Sequence, residues 1–289
     1  MKVSPLRQQM LDAMQMRGYS PRTHDSYVQA VIDLSHHYHR PPDKISADEV
    51  QQWLLWLLKE RHVSSSTCHL YFNGVRFLYV TVLEDADFAA YRFTLPKRQQ
   101  RLPDLLSRAE VSQLVAAPAN PAHRLLLLSC YACGLRVSEL VNIRVQDIDG
   151  SRRILHVVQG KGQKDRYVPV PDTLLEQWRA YWRRCHPKPW LFPGKYHGYQ
   201  QSVTTAQKIY LRAKRQVGIR KEGGIHSLRH AFATHALQAG MPIHQLQQVL
   251  GHEHVSTTLR YAHWLPETQQ GGQAIDLLAG LDAAAACYA

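Results

Sequence analysis

The sequence predicts a mainly α-helical protein with two domains. Helix-start signals recur through roughly the first 85 residues, which indicates an all-helical first domain. Two short segments rich in β-branched residues, 152–158 and 166–170, flank a glycine-containing turn and predict a β-hairpin in the second domain. A length of 289 residues suits two domains. The fold class is therefore an N-terminal four-helix domain followed by a mixed α+β domain with a small antiparallel sheet.

Four helices are predicted in the first domain. Each begins at a Ser, which favours the N-cap because its hydroxyl accepts a hydrogen bond from the first helical turn. The second helix is expected to run to about Tyr38, where a Pro-Pro pair follows. The start signals are, in order, Ser4-Pro5, Ser20-Pro21, the Ser46 to Glu49 capping box and Ser64 to Ser66.

Residues 96–103 are predicted to be a linker, between a helical domain at 1–95 and a second domain at 104–289. This stretch contains two prolines and the cations Lys97, Arg98 and Arg101, without hydrophobic periodicity. One alternative is an ordinary solvated loop. The position between two domains and the clustered positive charge favour a linker that follows DNA phosphates.

The second domain is predicted to hold helices on both sides of the hairpin. Arg136 follows the glycine that ends a long apolar helix and precedes another short helix. Lys161 and Lys164 lie in the hairpin turn, and Lys208, Arg212 and Arg215 form a basic face on a later helix. That face is either solvated or lies on DNA. The predicted elements are a capping box at Ser107, a helix from Asn120-Pro121 to Gly134, the hairpin, an amphipathic helix after Pro171 and a helix over 203–217.

Charge and composition favour a polyanionic partner. The formal net charge is +12, from 35 Lys and Arg against 23 Asp and Glu, although a merely basic protein would look the same. No run of 18 apolar residues indicates a membrane helix, and the N-terminus lacks the apolar core of a signal peptide. Five scattered cysteines argue against a disulfide framework and favour a reducing cytoplasm.

The stretch 224–263 carries the strongest chemical signal. His226 and Arg229 lie one helical turn apart, His252 follows a glycine turn, and Tyr261 ends the next apolar-periodic segment. The free pKa of a tyrosine is about 10, so a nucleophilic tyrosine needs cationic neighbours. A phosphodiester under attack needs the same neighbours, because negative charge builds on its nonbridging oxygens.

These residues resemble the C-terminal signature of the tyrosine recombinase (phage integrase) family. The matching stretches are His226-Ser227-Leu228-Arg229, Leu250-Gly251-His252, Tyr261, the run from Cys133 to Leu140 around Arg136, and Gly160-Lys161-Gly162. The order Arg, Lys, His-x-x-Arg, His, Tyr is complete. The resemblance covers residues 104–265 closely and implies that the first domain is a SAM-like core-binding domain.

The resemblance implies a site-specific DNA recombinase without metal or other cofactor. Tyr261 would form a 3′-phosphotyrosyl link, and Arg136 and Arg229 would hold the nonbridging oxygens. His252 would donate to the same charge, and His226 would accept or share the tyrosine proton. Lys161 would protonate the leaving 5′-oxygen, with Lys164 as a competing candidate and otherwise a phosphate contact.

Partners follow from the same resemblance. Double-stranded DNA sites are expected to be bound by a dimer and joined in a tetrameric synapse, with accessory proteins possible and no membrane. A C-terminal tail, from Leu265 to Ala289, would dock on a neighbouring protomer. The predicted DNA contacts are Lys97, Arg98, Arg101, Lys164, Lys208, Arg212 and Arg215.

Two other functions stay open on the sequence. A type IB topoisomerase uses the same chemistry on one duplex, and a DNA-binding regulator would lack a catalytic residue. Glu139 is expected to support the fold or to orient Arg136 rather than to contact the substrate. Cys130 and Cys133 form a CxxC pair, interpreted as two buried apolar residues because no second pair accompanies it. The His226 and His230 spacing fits a zinc site, but Arg229 between them disfavours a dication.

Overall fold

The chain divides into two compact units, Met1–Arg101 and Leu102–Ala289. The structure is a computed structural model that describes residues 4–97, 104–158, 165–196 and 198–262. Among these residues, no helix is long and apolar enough to cross a membrane. Both units are dominated by helices, so the predicted fold class is confirmed.

Four capped helices form the body of the first unit, as predicted. Each N-cap serine accepts a hydrogen bond from a backbone N–H of the first turn, a contact worth about 1 kcal/mol. Ser46 and Glu49 form the predicted capping box. The helices are α1 (Pro5–Met16), α2 (Pro21–Tyr38), α3 (Ala47–Lys59) and α4 (Ser65–Arg76).

Helices α2 and α4 approach each other closely at Gly74. A Cβ atom at this position would lie 2.9 Å from the Cα of Tyr27, closer than real Cβ contacts allow. The core around this crossing includes Leu34, Trp53 and Val75, all at most 1% exposed. A side chain at position 74 would therefore separate the two helices and disturb this core.

Two elements of the first unit were not predicted. Helix α4 continues as a π-helical turn, Phe77–Val82, and a short helix α5 (Ala86–Ala90) follows. Residues beyond α5 pack back on the same unit: Gln51 exchanges two hydrogen bonds with the backbone of Thr94. His69 contacts the carbonyl of Pro96 at 3.0 Å. Part of the predicted linker is thus held against the first unit.

The second unit is built around helix α7 (Pro121–Ala132), whose last eight residues are all buried. Helix α6 (Arg108–Ala116) begins at the predicted capping box on Ser107, and α7 begins at Asn120 as predicted. The short helix α8 (Val137–Val141) follows Arg136. Helices α9 (Asp172–Cys185) and α10 (Val203–Gln216) also match their predicted positions.

A three-stranded antiparallel sheet lies between α8 and α9. Strands β2 (Ile154–Val157) and β3 (Arg166–Pro169) form the predicted hairpin, and β1 (Ile148–Asp149) adds an edge strand that was not predicted. The pair Leu155 and Val168 faces the core with no exposure. The turn at 159–164 lies outside the described residues, so the placement of Lys161 and Lys164 stays a prediction.

Three helices carry the C-terminal motif. They are α11 (His226–Gln238), α12 (Ile243–Leu250) and α13 (Val255–Ala262). Helix α11 is buried along ten of its thirteen residues, so it forms a fixed platform against which the other two pack. The predicted tail from Leu265 lies outside the described residues.

Candidate active site

Arg229 joins the turn after α7 to the C-terminal end of α12 at the centre of the site. Its guanidinium donates hydrogen bonds to the carbonyls of Gly134, 2.7 Å away, and Leu250, 2.6 Å away. Carbonyls at helix ends carry partial negative charge, which favours a cation there. The side chain is 1% exposed, and burial is the main cause that lowers the Arg229 pKa to about 10. Arg229 therefore stays charged at neutral pH and is held rigidly.

Arg136 is fixed by Glu139 at the start of α8. Its guanidinium donates to Glu139 Oε1 at 2.7 Å and to the carbonyl of Gly251 at 3.2 Å, and its backbone N–H donates to Glu139 Oε2 at 2.8 Å. The Glu139 carboxylate is buried, so it is not exposed to a substrate. Glu139 thus orients Arg136, as expected from the sequence.

Arg166, the first residue of β3, is a third arginine that sequence reasoning did not select. It forms a two-pronged pair with both oxygens of Glu139, each at 2.8 Å, and donates to the carbonyl of Val249 at 2.7 Å. Glu139 therefore contacts two arginines, and Arg229 lies 3.8 Å from it. Burial opposes ionisation of Glu139, but Arg166 and Arg136 outweigh it and lower its pKa to about 2.

Loss of this carboxylate should destabilise the second unit strongly. Glu139→Gln leaves buried guanidinium groups without their counter-charge, which costs about 3–5 kcal/mol of unfolding free energy. The Glu139 pKa falls on folding, from 4.5 to about 2, so its contribution is complete above about pH 4.5 and is lost as pH falls toward 2. Urea denaturation should therefore show a large deficit at pH 7 that shrinks at pH 3. Glu176→Gln, on the exposed face of α9, is the matched control and should change little.

Gly251 turns the chain from α12 toward His252. Its φ of +62° lies in the left-handed region, and a Cβ there would lie 2.8 Å from Cδ of Arg166. The turn thus has two reasons to require glycine. The turn places His252 beside the arginine cluster, which consists of Arg136, Arg166 and Arg229. The Gly251 carbonyl accepts a hydrogen bond from Arg136.

His252 stacks on Tyr261. The two rings are nearly parallel, at 10°, with centroids 6.3 Å apart, and Nδ1 of His252 contacts the hydroxyl of Thr258 at 2.9 Å. Burial first, and then Arg229 and Arg136, lower the His252 pKa to about 4. The imidazole is therefore neutral at pH 7, and Thr258 fixes its orientation.

The Tyr261 hydroxyl is buried and contacts His230, not His226. The tyrosine is 5% exposed, and its Oη lies 2.7 Å from Nδ1 of His230. Burial raises the Tyr261 pKa, and Arg229, Arg136 and Arg260 offset only part of this effect. The phenol is thus protonated at pH 7 and needs an acceptor before it can attack.

His226 lies at the first position of α11 and reaches solvent. Its ring meets the His230 ring edge-on, with centroids 4.6 Å apart. Loss of solvent around the ring, followed by Arg229 and Arg136, lowers the His226 pKa. The role predicted for His226, to accept or share the tyrosine proton, stays a prediction. The ring in contact with the Tyr261 hydroxyl is that of His230, one turn further along the helix.

Four of the seven predicted DNA contacts belong to the described part of the chain. Lys208, Arg212 and Arg215 are exposed on α10, where they line a groove of about 710 Å³ with Asn120 and His123. Lys97 is exposed at the end of the described part of the first unit, and Arg98 and Arg101 lie outside the described residues.

The cysteine pair is buried in the core of the second unit. Cys130 and Cys133 have no exposure, and burial raises the pKa of the Cys130 thiol to about 12 and that of Cys133 as well. In the described ranges, no group of three His, Cys, Asp or Glu side chains is arranged to hold a metal ion. The interpretation of the pair as buried apolar residues agrees with these positions.

Comparison with known families identifies the chain. The model of the phage integrase family matches residues 104–268, and that of the phage integrase N-terminal SAM-like domain matches residues 6–86. The chain belongs to the phage integrase family. The predicted class, a tyrosine-type site-specific DNA recombinase, is thereby confirmed.

Similar proteins extend along nearly the whole chain of this integrase-family member. A Sinorhizobium fredii protein named as an integrase/recombinase is 37% identical, over 90% of this chain and 84% of its own length. Tyrosine recombinase XerA of Thermococcus kodakarensis is 32% identical, over 92% of this chain and 95% of its own. A λ integrase dimer bound to a COC′ core site shares the fold, with a TM-score of 0.73 at 16% identity, covering 94% and 99% of the two chains.

Proposed function

We propose that this site-specific DNA recombinase breaks a phosphodiester by attack of Tyr261 and rejoins it by the reverse step. The observation that carries the proposal is the enclosure of one tyrosine hydroxyl by His230, the stacked His252 and the arginine cluster. The attack would join Oη to phosphorus and release a 5′-hydroxyl. A 5′-hydroxyl of a partner strand would then displace the tyrosine, so the ester bond is conserved and no ATP is consumed.

The proposed roles follow from where each group is held. Arg136 and Arg229 bind the nonbridging oxygens, because guanidinium groups match phosphate geometry and backbone carbonyls hold both groups in place. His252 donates to the same charge through Nε2 when Thr258 donates to Nδ1. His226 lies beside them at the N-terminus of α11, where the helix favours an anion. Lys161 is the proposed acid for the 5′-oxygen.

Double-stranded DNA is the proposed partner, bound by one dimer per site and by a tetramer when two sites meet. The λ integrase structure is of a dimer on a core site, and the charge of +12 suits such a partner. We place the activity in the cytoplasm, since the cysteines are few and the described ones are free thiols. The same proposal includes accessory proteins as further partners at the recombination site.

A covalent trap tests the proposal. On a duplex nicked beside the cleavage point, the short 5′-hydroxyl strand diffuses away and cannot reverse the attack. Wild-type protein should then accumulate as a DNA adduct on a denaturing gel, without metal. A type IB topoisomerase would also be trapped but would relax a plasmid with no recombination site, whereas a recombinase should require its site. A non-catalytic regulator would give no adduct.

The basic face of α10 is proposed to lie on DNA phosphates. Replacing Lys208, Arg212 and Arg215 with Gln should weaken binding to all duplexes and flatten the plot of log K against log salt by up to about 2.7, since each phosphate contributes roughly −0.9. Arg179, Arg183 and Arg184 are exposed on α9 and provide a control that removes the same charge. An equal loss of slope in both triple variants would mean that net charge, not this face, sets the salt dependence.

A further inference from the structure

We propose that His230 is the residue that accepts the Tyr261 proton, with Nδ1 as the accepting atom and the ring proton on Nε2. The assignment rests on the proposed role of Tyr261 as nucleophile, and it adds a catalytic residue that the motif does not contain. Its basis is a contact at the reacting atom: Tyr261 Oη and His230 Nδ1 are 2.7 Å apart. This distance is within the reach that general-base catalysis requires.

The geometry around this contact favours His230 over its neighbours. Tyr261 Oη contacts His230, while the His252 ring lies parallel to the phenol and uses Nδ1 on Thr258. Nδ1 of His252 is thus in contact with Thr258, whereas Nδ1 of His230 is in contact with the reacting hydroxyl. The His226 ring meets the His230 ring edge-on, with centroids 4.6 Å apart.

Helix α11 explains why the contact is rigid. His230 is half-buried, and Arg229 immediately before it is held by the carbonyls of Gly134 and Leu250. The helix therefore cannot rotate to bring His226 to the phenol without breaking the Arg229 contacts. Positions 226 and 230 lie one turn apart on the same face of α11. His230 contacts the nucleophile, and His226, one turn closer to the N-terminus, is left to contact the phosphate.

The charged and titratable groups that face His230 in the described structure are His226 and Arg229 from its own helix and Tyr261 from α13. Burial first, then His226 and Arg229, lower the His230 pKa to about 4, so the ring is neutral and able to accept at pH 7. Full transfer before attack is uphill, because the Tyr261 pKa is raised. Transfer must therefore accompany attack, and a phosphate anion entering beside Arg229 favours the imidazolium that forms.

The proton balance closes over the reaction. In cleavage, the proton moves from Tyr261 Oη to His230 Nδ1 as the Oη–P bond forms and the P–O5′ bond breaks, and the 5′-oxygen takes a proton from the acid. In rejoining, the 5′-hydroxyl returns its proton to that acid, and the departing phenolate recovers its own from His230. No external base or cofactor is consumed.

A pH profile of cleavage tests the assignment. His230→Asn keeps an acceptor near the Nδ1 position but cannot take a proton, so single-turnover cleavage of the nicked duplex should slow by about 10²–10⁴-fold at pH 7. Wild type should be level from about pH 7 to about pH 9, because His230 is neutral throughout. The variant should instead rise about tenfold per pH unit, because only phenolate formed by hydroxide can attack.

A second Tyr–His contact, between Tyr131 of α7 and His235 of α11, supplies the matched control. Tyr131 Oη lies 2.9 Å from Nδ1 of His235. His235 is buried, and burial lowers its pKa to about 4, the same value as for His230. His235→Asn therefore removes the same type of contact from the same helix. It should keep the wild-type pH profile, whatever its cost in stability.

Difluorotyrosine in place of Tyr261 separates a proton acceptor from a structural contact. Ring fluorines make the phenol more acidic, so cleavage depends less on a proton acceptor. The decrease in cleavage rate caused by His230→Asn should therefore be smaller. The same replacement should not rescue Arg136→Ala, whose defect lies in phosphate charge. If His230→Asn does not bind DNA, His230→Gln takes its place in both measurements.

The outcomes separate this inference from the proposed function. If wild-type protein forms no adduct, the proposed function fails. If wild type forms the adduct and His230→Asn keeps a level profile, the function stands and His230 is only a structural contact. If fluorination rescues His226→Asn and leaves His230→Asn unimproved, the acceptor is His226.

Discussion

Tyr261→Phe is expected to reduce covalent capture of nicked DNA to the background of the assay while leaving duplex binding nearly unchanged. Only one hydroxyl is lost, and its hydrogen bond to His230 contributes about 1 kcal/mol to stability. The measurement pairs a denaturing gel for the adduct with a gel shift for binding. A variant that binds but does not react places the defect in the chemical step.

Tyr131→Phe is the matched control for this result. Tyr131 is also buried in the second unit and also contacts a histidine of α11, at 2.9 Å. The Tyr131→Phe variant should form the covalent adduct with nicked DNA as wild-type protein does. Capture of the Tyr261→Phe variant would show that another residue attacks.

Lys161→Ala is expected to slow cleavage by about 10²–10⁴-fold, because an alkoxide leaves poorly without a proton. A substrate with sulfur at the bridging 5′ position should restore its rate, since a thiol pKa is near 8.5 and a thiolate leaves unaided. The comparison is made in single turnover on matched oxygen and sulfur substrates. It tests a residue in the hairpin turn, outside the described part of the chain.

Two further variants serve as controls for the rate on the 5′-sulfur substrate. Arg136→Ala should not be rescued, because its guanidinium serves the nonbridging oxygens. Lys164→Ala should need no rescue if it only contacts phosphate. Sulfur rescue of Lys164→Ala together with no rescue of Lys161→Ala would transfer the role of acid to Lys164.

Local signals in the sequence placed most helices correctly. Ser20-Pro21 and the Ser46 to Glu49 capping box started α2 and α3 where predicted, because capping depends on residues within one turn. The spacing of His226 and Arg229 likewise indicated one helical turn, and Gly251-His252 indicated a turn after a helix. These predictions needed no knowledge of distant contacts.

The missed features depend on contacts between distant parts of the chain. Arg166 reads as an ordinary strand residue, and only the fold brings it to Glu139, 27 positions earlier. The burial of Glu139, which would call for further cations, is itself visible only in the structure. The π-helical turn after α4 had no signal in the sequence, because Phe77 to Val82 also fit an α-helical pattern.

The residue that contacts Tyr261 also depends on parts of the chain that are distant in sequence. His226 and His230 share one face of the helix, and sequence spacing alone cannot tell which ring α13 reaches. In the structure, Nδ1 of His230 lies 2.7 Å from the Tyr261 hydroxyl, and the role predicted for His226 stays a prediction. Motif order therefore identifies the family, while the proton path requires coordinates.

The most direct test of the central claim is to identify the residue that becomes linked to DNA. Wild-type adduct formed on the nicked duplex is digested with nuclease and protease, and the peptide that keeps a nucleotide is sequenced by mass spectrometry. The account predicts a single modified peptide with the phosphate on Tyr261. A phosphate on any other residue, or a trapped complex without a covalent peptide, would contradict it.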